Sequence, residues 1–539
     1  MEEWRHYFPF KNIRQQQIDA IEFALKEFET KKYVILDCGT GVGKSAIGFT
    51  IARYIQDRIA TTKEIKDGSY FITTQKILQD QYMEDFERFD LVNIKSAQNY
   101  SCNYHKKKNC ADGMQLLKSE QNKQSKFWKM CSGNGCNYKQ AKQQFNSSRL
   151  GITNFAYFLH AMNFGTSMLS AKVLVIDEAH NVDQELSGFI EISISQRFSE
   201  NVLNLEFPED RDENKIFEWI SKQYYPTLVA HVLSVGEKLE KFIQSSEKLK
   251  EFENLMKQFD MLEKHSGKIA QFVSIWDNQN WCMDVVESDV QKSLKLVFKP
   301  IDISKYTEQY LFRAAEKILF MSATIINRDA FCQQLGIKLE DVGFISIPSP
   351  FPVENRPMLI STVGKMNANT IESTLPKLLI AIKDILEHHK NEKGIIHTNS
   401  YKISNYIMKN LKNSRLLTHT SENRDEVLNK HLNSTAPTVL LSPSMTEGVD
   451  LKGDLSRFQI VCKIPYPYLG DKLVQKRMKK WSWWYPMQTV KTLVQAIGRS
   501  IRSQDDFAVS YILDEDWYRF YSQNSHFFDA EFKRTIQQV

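Results

Sequence analysis

Short runs of consecutive apolar residues alternate with helical patterns along the first part of this chain. The runs lie within residues 33–38, 69–74 and 172–177, and an amphipathic helical pattern precedes the first of them at 13–28. An apolar run of this kind is typical of a strand that is buried on both faces of a parallel sheet. The alternation therefore predicts an α/β fold in which helices cover both faces of the sheet.

A second alternation follows a cluster of prolines between residues 348 and 357. A helical pattern at Ile371–His388 precedes two further apolar runs, within 394–400 and 438–443. Because prolines interrupt both helices and sheets, we place the start of a second α/β domain at this cluster. The sequence thus predicts two parallel-sheet domains.

The segment after residue 186 breaks the alternation of the first domain. Residues 187–266 are polar and helical, and apolar side chains recur three, four or seven positions apart from Phe242 to Leu262. This spacing predicts an inserted helical domain with one apolar stripe. Two aromatic-rich runs within residues 271–286 flank a turn at 277–280 and predict a hairpin that leads back to the sheet.

Length and composition narrow the class of protein. A chain of 539 residues is too long for one core and suggests three or four domains. No apolar run approaches the length of a membrane span, and the N-terminus MEEWRHYFPF lacks the basic and apolar regions of a signal peptide. We therefore expect an intracellular protein without a membrane partner, in the cytoplasm or nucleoid or, in a eukaryote, the nucleus.

Residues 37–45, DCGTGVGKS, form a glycine-rich turn after the first predicted strand. In a phosphate-binding loop, backbone N–H groups and the N-terminus of the following helix face the phosphates, and glycine permits their close approach. An ordinary strand, turn and helix is the alternative. In a phosphate loop, Lys44 reaches the β- and γ-phosphates of ATP and the Ser45 hydroxyl binds Mg²⁺. The loop residues assigned to the nucleotide are Gly39, Thr40, Gly41, Val42, Gly43, Lys44 and Ser45.

Two adjacent carboxylates follow the apolar run at residues 172–177, within the sequence DEAH. Carboxylates at the end of a buried strand do not serve packing. We predict that Asp177 holds Mg²⁺ through water and that Glu178 polarises the attacking water. Near the N-terminus, Arg14 and Gln17 lie one helical turn apart. Either they begin a solvated helix, or Gln17 reads the base edge of the nucleotide.

Four of the eight cysteines lie in or next to a basic segment. Residues 103–142 contain nine lysines and two acidic residues, and the cysteine spacing is C-x7-C-x20-C-x4-C. Clustered reduced cysteines suggest a metal site. The residues alone leave zinc and an iron–sulfur cluster equally open, with four unligated thiols as a lesser alternative. Aromatic residues among the lysines also suit a groove for single-stranded nucleic acid. The four cysteines are Cys102, Cys110, Cys131 and Cys136.

The second domain has no phosphate loop of its own in the sequence. Within residues 495–502, QAIGRSIR, Arg499 and Arg502 are candidates to stabilise a phosphate transition state from the opposing domain. The aromatic and basic segment 472–491 either stacks bases and neutralises phosphates, or packs its own aromatic side chains. A surface that faces the first nucleotide site is assigned to Glu447, Gly448 and Asp450.

In their order along the chain, these blocks resemble the superfamily 2 helicases, specifically the XPD/DinG branch. The four cysteines before DEAH, with CNY at the last one, match the iron–sulfur insert of that branch, and the helical insertion after DEAH corresponds in position to its arch domain. The chain departs from the branch at Cys38 and Gly39, where alanine and proline are usual. The matching blocks are the Arg14–Gln17 helix, DCGTGVGKS, TTQKILQDQ, DEAHN, SAT, TEGVD and QAIGRSIR.

The resemblance implies an ATP-dependent DNA helicase that moves 5′ to 3′ along single-stranded DNA and separates duplex strands in DNA repair or replication. It implies ATP, Mg²⁺ and a 4Fe–4S cluster as ligands, and it adds His180 and Gln495 to the nucleotide site. Single-stranded and forked duplex DNA are the expected partners of a monomeric motor. A DNA-stimulated ATPase that acts as a clamp without strand separation, and an RNA helicase, are the alternatives.

The resemblance also implies a division of the chain into domains. The first RecA-like domain is expected in three parts, with two insertions between them. The implied boundaries are 1–96, 149–186 and 271–350 for the first RecA-like domain, 97–148 for the iron–sulfur insert, 187–270 for the helical arch and 351–539 for the second RecA-like domain.

Overall fold

The structure is a computed structural model. It describes residues 3–60, 65–120, 123–133, 135–165, 168–244, 249–287, 293–420, 422–443, 451, 453–498, 500, 501, 503 and 505–538. The β-strands are β1 (Tyr33–Cys38), β2 (Ile65–Thr73), β3 (Leu91–Asn93), β4 (Leu150–Asn154), β5 (Ser170–Asp177), β6 (Ile192–Ser195), β7 (Trp281–Glu287), β8 (Leu294–Pro300), β9 (Ala315–Ser322), β10 (Val342–Ile347), β11 (Met358–Gly364), β12 (Gly394–His397), β13 (Leu416–Thr418), β14 (Val439–Ser442), β15 (Phe458–Val461), β16 (Val509–Asp514) and β17 (Ile536–Gln538).

The α-helices are α1 (Gln15–Glu27), α2 (Lys44–Gln56), α3 (Lys76–Phe86), α4 (Cys110–Ser119), α5 (Lys126–Ser132), α6 (Asn137–Ser147), α7 (Phe155–Phe164), α8 (Val182–Ile190), α9 (Gln196–Asn201), α10 (Glu213–Trp219), α11 (Tyr225–Gln244), α12 (Leu249–Ile275), α13 (Thr307–Tyr310), α14 (Arg328–Leu335), α15 (Ile371–His388), α16 (Tyr401–Asn410), α17 (Arg424–Asn433), α18 (Lys472–Lys480), α19 (Trp484–Ile497), α20 (Asp516–Asn524) and α21 (Ala530–Thr535). Among the described residues, no helix combines the length and the apolar character needed to cross a membrane.

A seven-stranded parallel sheet forms the centre of the first domain, with the strand order β10-β1-β9-β5-β2-β4-β3. Successive side chains of a strand point to opposite faces of the sheet. Accordingly, Val173 and Val175 of β5 pack in one apolar cluster, whereas Leu174 and Ile176 pack in another on the opposite face. Burial on both faces explains why the apolar runs of the sequence are continuous rather than alternating.

The parallel register brings the ends of β1, β5 and β9 to one edge of this sheet. Asp37 of β1 pairs with Ser322 of β9, and Asp177 of β5 pairs with Met321 of β9. The glycine-rich loop after β1 and the two carboxylates at the end of β5 therefore meet at the same edge. In open parallel sheets this carboxyl edge is where ligands bind.

A second seven-stranded parallel sheet, with the order β13-β14-β12-β15-β16-β11-β17, forms the centre of the second domain. Helix α15 has the predicted bounds, and β12 and β14 fall within the two predicted apolar runs. Phe458 and Ile460 of β15 pack on one face of the sheet and Val461 packs on the other. The prediction of two parallel-sheet α/β domains is confirmed.

The insertion between β5 and β9 contains a sheet as well as helices. Strands β6, β8 and β7 form a three-stranded antiparallel sheet beside the long helices α11 and α12. The predicted hairpin within residues 271–286 is wrong, because α12 continues to Ile275 and β7 pairs with β8 instead. The helix persists into the aromatic-rich run since Ile269 and Phe272 are fully buried in the core of the first domain.

The residues between β3 and β4 form a small helical unit, which we call the cysteine segment and define as residues 97–148. Helices α4, α5 and α6 lie in it. Its own apolar core is small and consists of Cys102, Leu116, Phe127 and Cys131. A unit of this size has little apolar surface to bury and depends on other interactions for its order.

Candidate active site

The glycine-rich loop connects β1 to α2 and places its last residues at a helix N-terminus. Gly41 and Gly43 have φ angles of 89° and 90°, which residues with a side chain rarely adopt. Gly43 is the N-cap of α2, so Lys44 and Ser45 form the first turn of that helix. The unpaired N–H groups of a first helical turn favour bound anions.

Arg14 and Gln17 hold the carbonyl groups of this loop. Arg14 Nη1 donates to the carbonyl of Gly41 at 2.7 Å, and Gln17 Nε2 donates to the carbonyl of Val42 at 3.0 Å. The backbone N–H of Arg14 in turn donates to Gln17 Oε1 at 3.0 Å. The oxygen and the nitrogen of the Gln17 amide therefore both make hydrogen bonds within the protein. Gln17 lies in the first turn of α1, the helix predicted within residues 13–28.

The chain after β10 crosses the entrance of the loop and accounts for Gly39. A Cβ atom at this position would lie 2.5 Å from the backbone nitrogen of Ser349, so neither proline nor any other side chain fits. The N–H of Gly39 donates to the carbonyl of Ile347 at 2.9 Å, and Ser349 Oγ donates to the carbonyl of Thr40 at 2.7 Å. Cys38 is fully buried in the apolar core and serves as a small apolar side chain.

Phe351, two residues further on, packs against the loop. Its ring atom Cζ lies 2.0 Å from the position that a Cβ atom on Gly41 would take. On its other side the ring belongs to an apolar cluster with Ile501 and Ala508 of the second domain. The segment that joins the two domains therefore contacts both the loop and the second domain through one aromatic side chain.

Asp177 and Glu178 lie at the carboxyl edge beside the loop. Asp177 is buried, and burial, followed by the charge of Glu178, raises its pKa to about 6 in spite of the opposing charge of Lys44. The N–H of Glu178 donates to Asp177 Oδ1 at 2.9 Å, and the hydroxyl of Tyr82 donates to Asp177 Oδ2 at 3.0 Å. Glu178 has a left-handed backbone with a φ of 52°, a strained conformation of the kind that clusters at functional sites.

His180 connects this edge to the second domain. Its Nδ1 lies 2.7 Å from Ser322 Oγ and 3.3 Å from the Glu178 carboxylate. Its Nε2 lies 2.6 Å from Gln495 Nε2, and its backbone carbonyl accepts from Lys491 Nζ at 3.0 Å. With the Gln495 amide as donor, Nε2 of the imidazole accepts and Nδ1 carries the proton that faces Ser322 Oγ. Helix α19 thus contacts the carboxylate edge directly.

The structure therefore brings together the loop, the two carboxylates, His180 and Gln495. The sequence did not identify Tyr82, Lys491 or Ser349 as neighbours of this site, because each reaches it through contacts between distant segments. The remaining predicted site residues lie outside the described residues. They are Glu447, Gly448, Asp450, Arg499 and Arg502.

The four thiols of the cysteine segment border one small cavity, which Asn103, Gly113 and Met114 also line. Cys110 neighbours Cys136, and Cys131 neighbours Cys102. Burial, and then the neighbouring thiols, raise the pKa of both Cys110 and Cys131. In the described part of the chain, no three potential ligands are arranged to hold a single metal ion.

Two family models match the chain. The model described as type III restriction enzyme, res subunit, matches residues 10–207, and the model described as helicase C-terminal domain matches residues 382–527. The first match contains the glycine-rich loop and both carboxylates. The second contains α19 and most of the second sheet.

Characterised relatives and a solved structure agree with these matches. The chain is 26% identical over 298 residues to the ATP-dependent DNA helicase DinG of Photobacterium profundum, a match that covers 49% of this chain and 40% of the relative. It is 24% identical over 237 residues to the ATP-dependent DNA helicase YoaA of Escherichia coli, a match that covers 41% of this chain and 36% of the relative. The chain thus spans less than half the length of these two relatives.

A solved XPD helicase shares the fold, with a TM-score of 0.64 and 16% identity over 98% of this chain and 100% of that structure. At this identity the likeness concerns the fold alone, and it extends over both domains and the insertions. The family models, the DinG and YoaA relatives and the XPD-like fold agree with the resemblance of the chain to superfamily 2 helicases of the XPD/DinG type.

Proposed function

We propose that this protein is an ATP-dependent DNA helicase. The observation that supports this most directly is the chain of contacts from Glu178 through His180 to Ser322 and Gln495. A helicase must convert a change at a nucleotide site into a movement between domains, and such movements proceed through interfaces with discrete arrangements. Here the Glu178 carboxylate of one domain is linked to helix α19 of the other through the imidazole of His180.

In this proposal ATP is hydrolysed at the carboxyl edge of the first sheet. Lys44 binds the β- and γ-phosphates beside the backbone of residues 39–45, and Glu178 accepts the proton of the attacking water. Ser45 and Asp177 would hold Mg²⁺, which neutralises charge on the phosphate oxygens when bound. The donor set fits this ion, because a hydroxyl and a carboxylate are oxygen ligands of the kind that Mg²⁺ prefers.

The other nucleotide contacts keep the roles assigned from the sequence. Arg14 and Gln17 are proposed to lie at the base edge of ATP, where Gln17 would exchange one of its hydrogen bonds within the protein for one to the base. Arg499 and Arg502 are proposed to stabilise the charge that develops on the transferred phosphate. Glu447, Gly448 and Asp450 are proposed to form the surface of the second domain that faces the nucleotide site.

We further propose that the cysteine segment holds a 4Fe–4S cluster. Among the described residues, the lining of its cavity supplies four thiols and no carboxylate or imidazole, a donor set that suits iron–sulfur clusters. The four cysteines would hold the cluster from four separate points of the segment. Iron and acid-labile sulfide in anaerobically purified protein are the expected result, and stoichiometric zinc without iron would refute the cluster. The proposed ligands are Cys102, Cys110, Cys131 and Cys136.

The DNA-related properties are carried over from the family. We propose 5′ to 3′ movement of a monomeric motor on single-stranded DNA, separation of forked duplexes, and a role in DNA repair or replication in the cytoplasm or nucleoid. The same proposal divides the chain into the RecA-like, iron–sulfur and arch regions implied by the sequence. The exposed lysines of the cysteine segment support a path for a nucleic-acid backbone.

The variant Lys44→Ala tests the ATPase part of this proposal. We expect DNA-stimulated ATP hydrolysis to fall to background, because Lys44 is the one cation of the loop that we assign to the phosphates. Lys479→Ala is the matched control, since this lysine is exposed on α18 and lies far from the loop in sequence. Full DNA-stimulated turnover by Lys44→Ala would exclude the proposed mechanism.

Tailed duplexes separate the helicase from its alternatives. We expect ATP-dependent strand displacement with 5′ single-stranded DNA tails and little with 3′ tails. ATP hydrolysis without displacement on any tail would favour a clamp. Displacement that requires an RNA tail would favour an RNA helicase, and efficient displacement with 3′ tails alone would contradict the proposed polarity.

A further inference from the structure

The phenol of Tyr82 makes a buried contact with Asp177. Tyr82 lies in α3, its side chain is 3% exposed, and its hydroxyl donates to Asp177 Oδ2 at 3.0 Å. The other carboxylate oxygen, Oδ1, accepts the N–H of Glu178 at 2.9 Å. Each oxygen of Asp177 therefore has one donor from the protein, and the plane of the carboxylate is fixed.

Aromatic side chains hold the Tyr82 ring in place. Its centroid lies 6.0 Å from that of Phe71 and 5.6 Å from that of Phe86. Phe86 in turn stacks on Phe49 of α2 at 4.4 Å with an interplanar angle of 10°. Because these rings are buried in the core of the first domain, the phenol oxygen cannot move away from Asp177 without repacking that core.

The side chain of Ser45 also lies near this phenol. Tyr82 therefore contacts one of the two side chains that we assign to Mg²⁺ and lies near the other, although it comes from a helix that contains no residue of the phosphate loop or of DEAH. Groups that hydrogen-bond metal ligands orient those ligands and raise the affinity for the metal. A purely packing role would require the ring of Tyr82 but not its hydroxyl.

We propose that Tyr82 is a positioning residue of the magnesium site, whose hydroxyl orients Asp177 so that the remaining lone pairs of the carboxylate face the ion. The inference rests on the proposed function insofar as that function assigns Asp177 and Ser45 to Mg²⁺. It concerns the hydroxyl alone, so the variant Tyr82→Phe removes the proposed role and leaves the ring and its aromatic contacts in place.

The test compares full-length wild type, Tyr82→Phe and the matched control Tyr70→Phe. Tyr70 lies on β2 of the same sheet, is equally buried, and donates its hydroxyl to the carbonyl of Leu169 at 3.1 Å, away from the nucleotide edge. Each protein is titrated with Mn²⁺ as a paramagnetic probe in the presence of a non-hydrolysable ATP analogue, and bound Mn²⁺ is followed by electron paramagnetic resonance. Binding of the same analogue without metal is measured in parallel.

We expect Tyr82→Phe to bind Mn²⁺ about 10- to 100-fold more weakly than wild type, the usual effect of removing a group that orients a metal ligand. Metal-free analogue binding should be unchanged, and Tyr70→Phe should match wild type in both measurements. A Mn²⁺ affinity of Tyr82→Phe within twofold of wild type would overturn the proposal, as would an equal loss of metal-free analogue binding, which indicates a packing role. Failure of the wild type to hydrolyse ATP would count against the proposed function only, since the binding comparison decides the role of Tyr82 independently.

Discussion

Two lysine-rich segments with aromatic residues look alike in the sequence, but several of their cations have opposite surroundings in the structure. In α18, Arg477 makes a bidentate ion pair with Asp183 at 2.7 and 3.2 Å and also donates to the carbonyl of Ile301 at 2.9 Å. In the cysteine segment, Lys106 and Lys107 are exposed and have no ion-pair partner within the described chain. Arg477 is used inside the protein, whereas Lys106 and Lys107 are available to a ligand. Another lysine of the cysteine segment, Lys118, pairs with Asp260 at 2.7 Å.

The partners that decide this difference lie far from either segment in sequence. Helix α18 faces the insertion of the first domain, where Glu213 pairs with Lys476 at 2.7 and 2.8 Å and Asp302 pairs with Lys480 at 2.6 Å. Trp481 and Trp484 next to the helix are buried. Of the two interpretations of residues 472–491, the structure therefore shows the packing one. Helix α18 is a contact between the second domain and the insertion.

The two segments also differ in what maintains their structure, and the largest expected effect follows from this. The cysteine segment has a four-residue core of its own, so we expect its order to depend on the proposed cluster. In Cys110→Ser we predict loss of bound iron and rapid tryptic cleavage within residues 97–148, whereas α18 stays protected. Iron analysis and mass spectrometry of the fragments are the measurements.

The matched control for Cys110→Ser is Cys282→Ser, which changes a buried cysteine of β7 outside the segment. This variant should retain its iron and its resistance to trypsin. If the cysteine segment resists trypsin in iron-free Cys110→Ser, its small core maintains its structure without the cluster. The two segments would then not differ in what maintains their structure.

The next largest effect is expected at Arg477. Removing one partner of a buried, hydrogen-bonded ion pair leaves the other charge without compensation, which typically costs about 3–5 kcal/mol. Arg477→Met should lower the free energy of unfolding by about 3 kcal/mol in urea. Lys479→Met, an exposed neighbour on the same helix, is the control and should change it by less than about 0.5 kcal/mol. Equal effects of the two variants would mean that the ion pair adds nothing to the packing of α18.

These contacts mark the limit of what the sequence alone could predict. The strands β1, β5 and β12 and the helix α15 were predictable because continuous apolar runs and helical spacing are local signals. The partner of Arg477 is 294 residues away along the chain, and no local pattern points to it. The hairpin predicted within residues 271–286 failed for a related reason. Its first aromatic run fits a helix as well as a strand, and burial against the core of the first domain decides in favour of the helix.

The candidate site shows the same division between local and distant signals. The glycine-rich loop and the adjacent carboxylates carry their chemistry in a few consecutive residues. Gly39 was unexplained from the sequence, because the atom that excludes a side chain there belongs to Ser349. Tyr82 was missed because a tyrosine in an amphipathic helix is ordinarily a core residue, and only the contact with Asp177 distinguishes it.

A smaller effect is expected at Lys476, whose ion pair with Glu213 is partly exposed, with 36% and 24% of the two side chains accessible. Partly exposed pairs contribute about 1 kcal/mol or less. A double-mutant cycle with Lys476→Met and Glu213→Gln should therefore give a coupling free energy of about 0.5–1 kcal/mol in urea unfolding. A coupling near 3 kcal/mol would place this pair in the same class as Arg477 and Asp183. A coupling of zero would leave Arg477 and Lys480 as the ionic contacts of α18.

The smallest effect on stability, and the sharpest test of the comparison, is expected in the cysteine segment. The double variant Lys106→Gln/Lys107→Gln should leave the free energy of unfolding unchanged, because both side chains are exposed and unpaired within the described chain. If these lysines contact a single-stranded DNA backbone, the slope of log Kobs against log salt should become shallower by about 1.4, or about 0.7 for each lost contact. The measurement is a salt titration of binding to a fluorescent oligonucleotide.

The matched control is Lys409→Gln/Lys412→Gln, which removes two exposed lysines at and after the end of α16. Because α16 begins directly after the carboxyl end of β12, its last turn points to the opposite edge of the second sheet, away from the edge where ligands bind. The control should keep the wild-type slope. If both double variants reduce the slope equally, the binding is diffuse and the lysines of the cysteine segment have no special place in it. If only the cysteine-segment variant does so, exposed cations without internal partners distinguish a DNA-binding segment from a basic helix such as α18, in which Lys476, Arg477 and Lys480 are already paired.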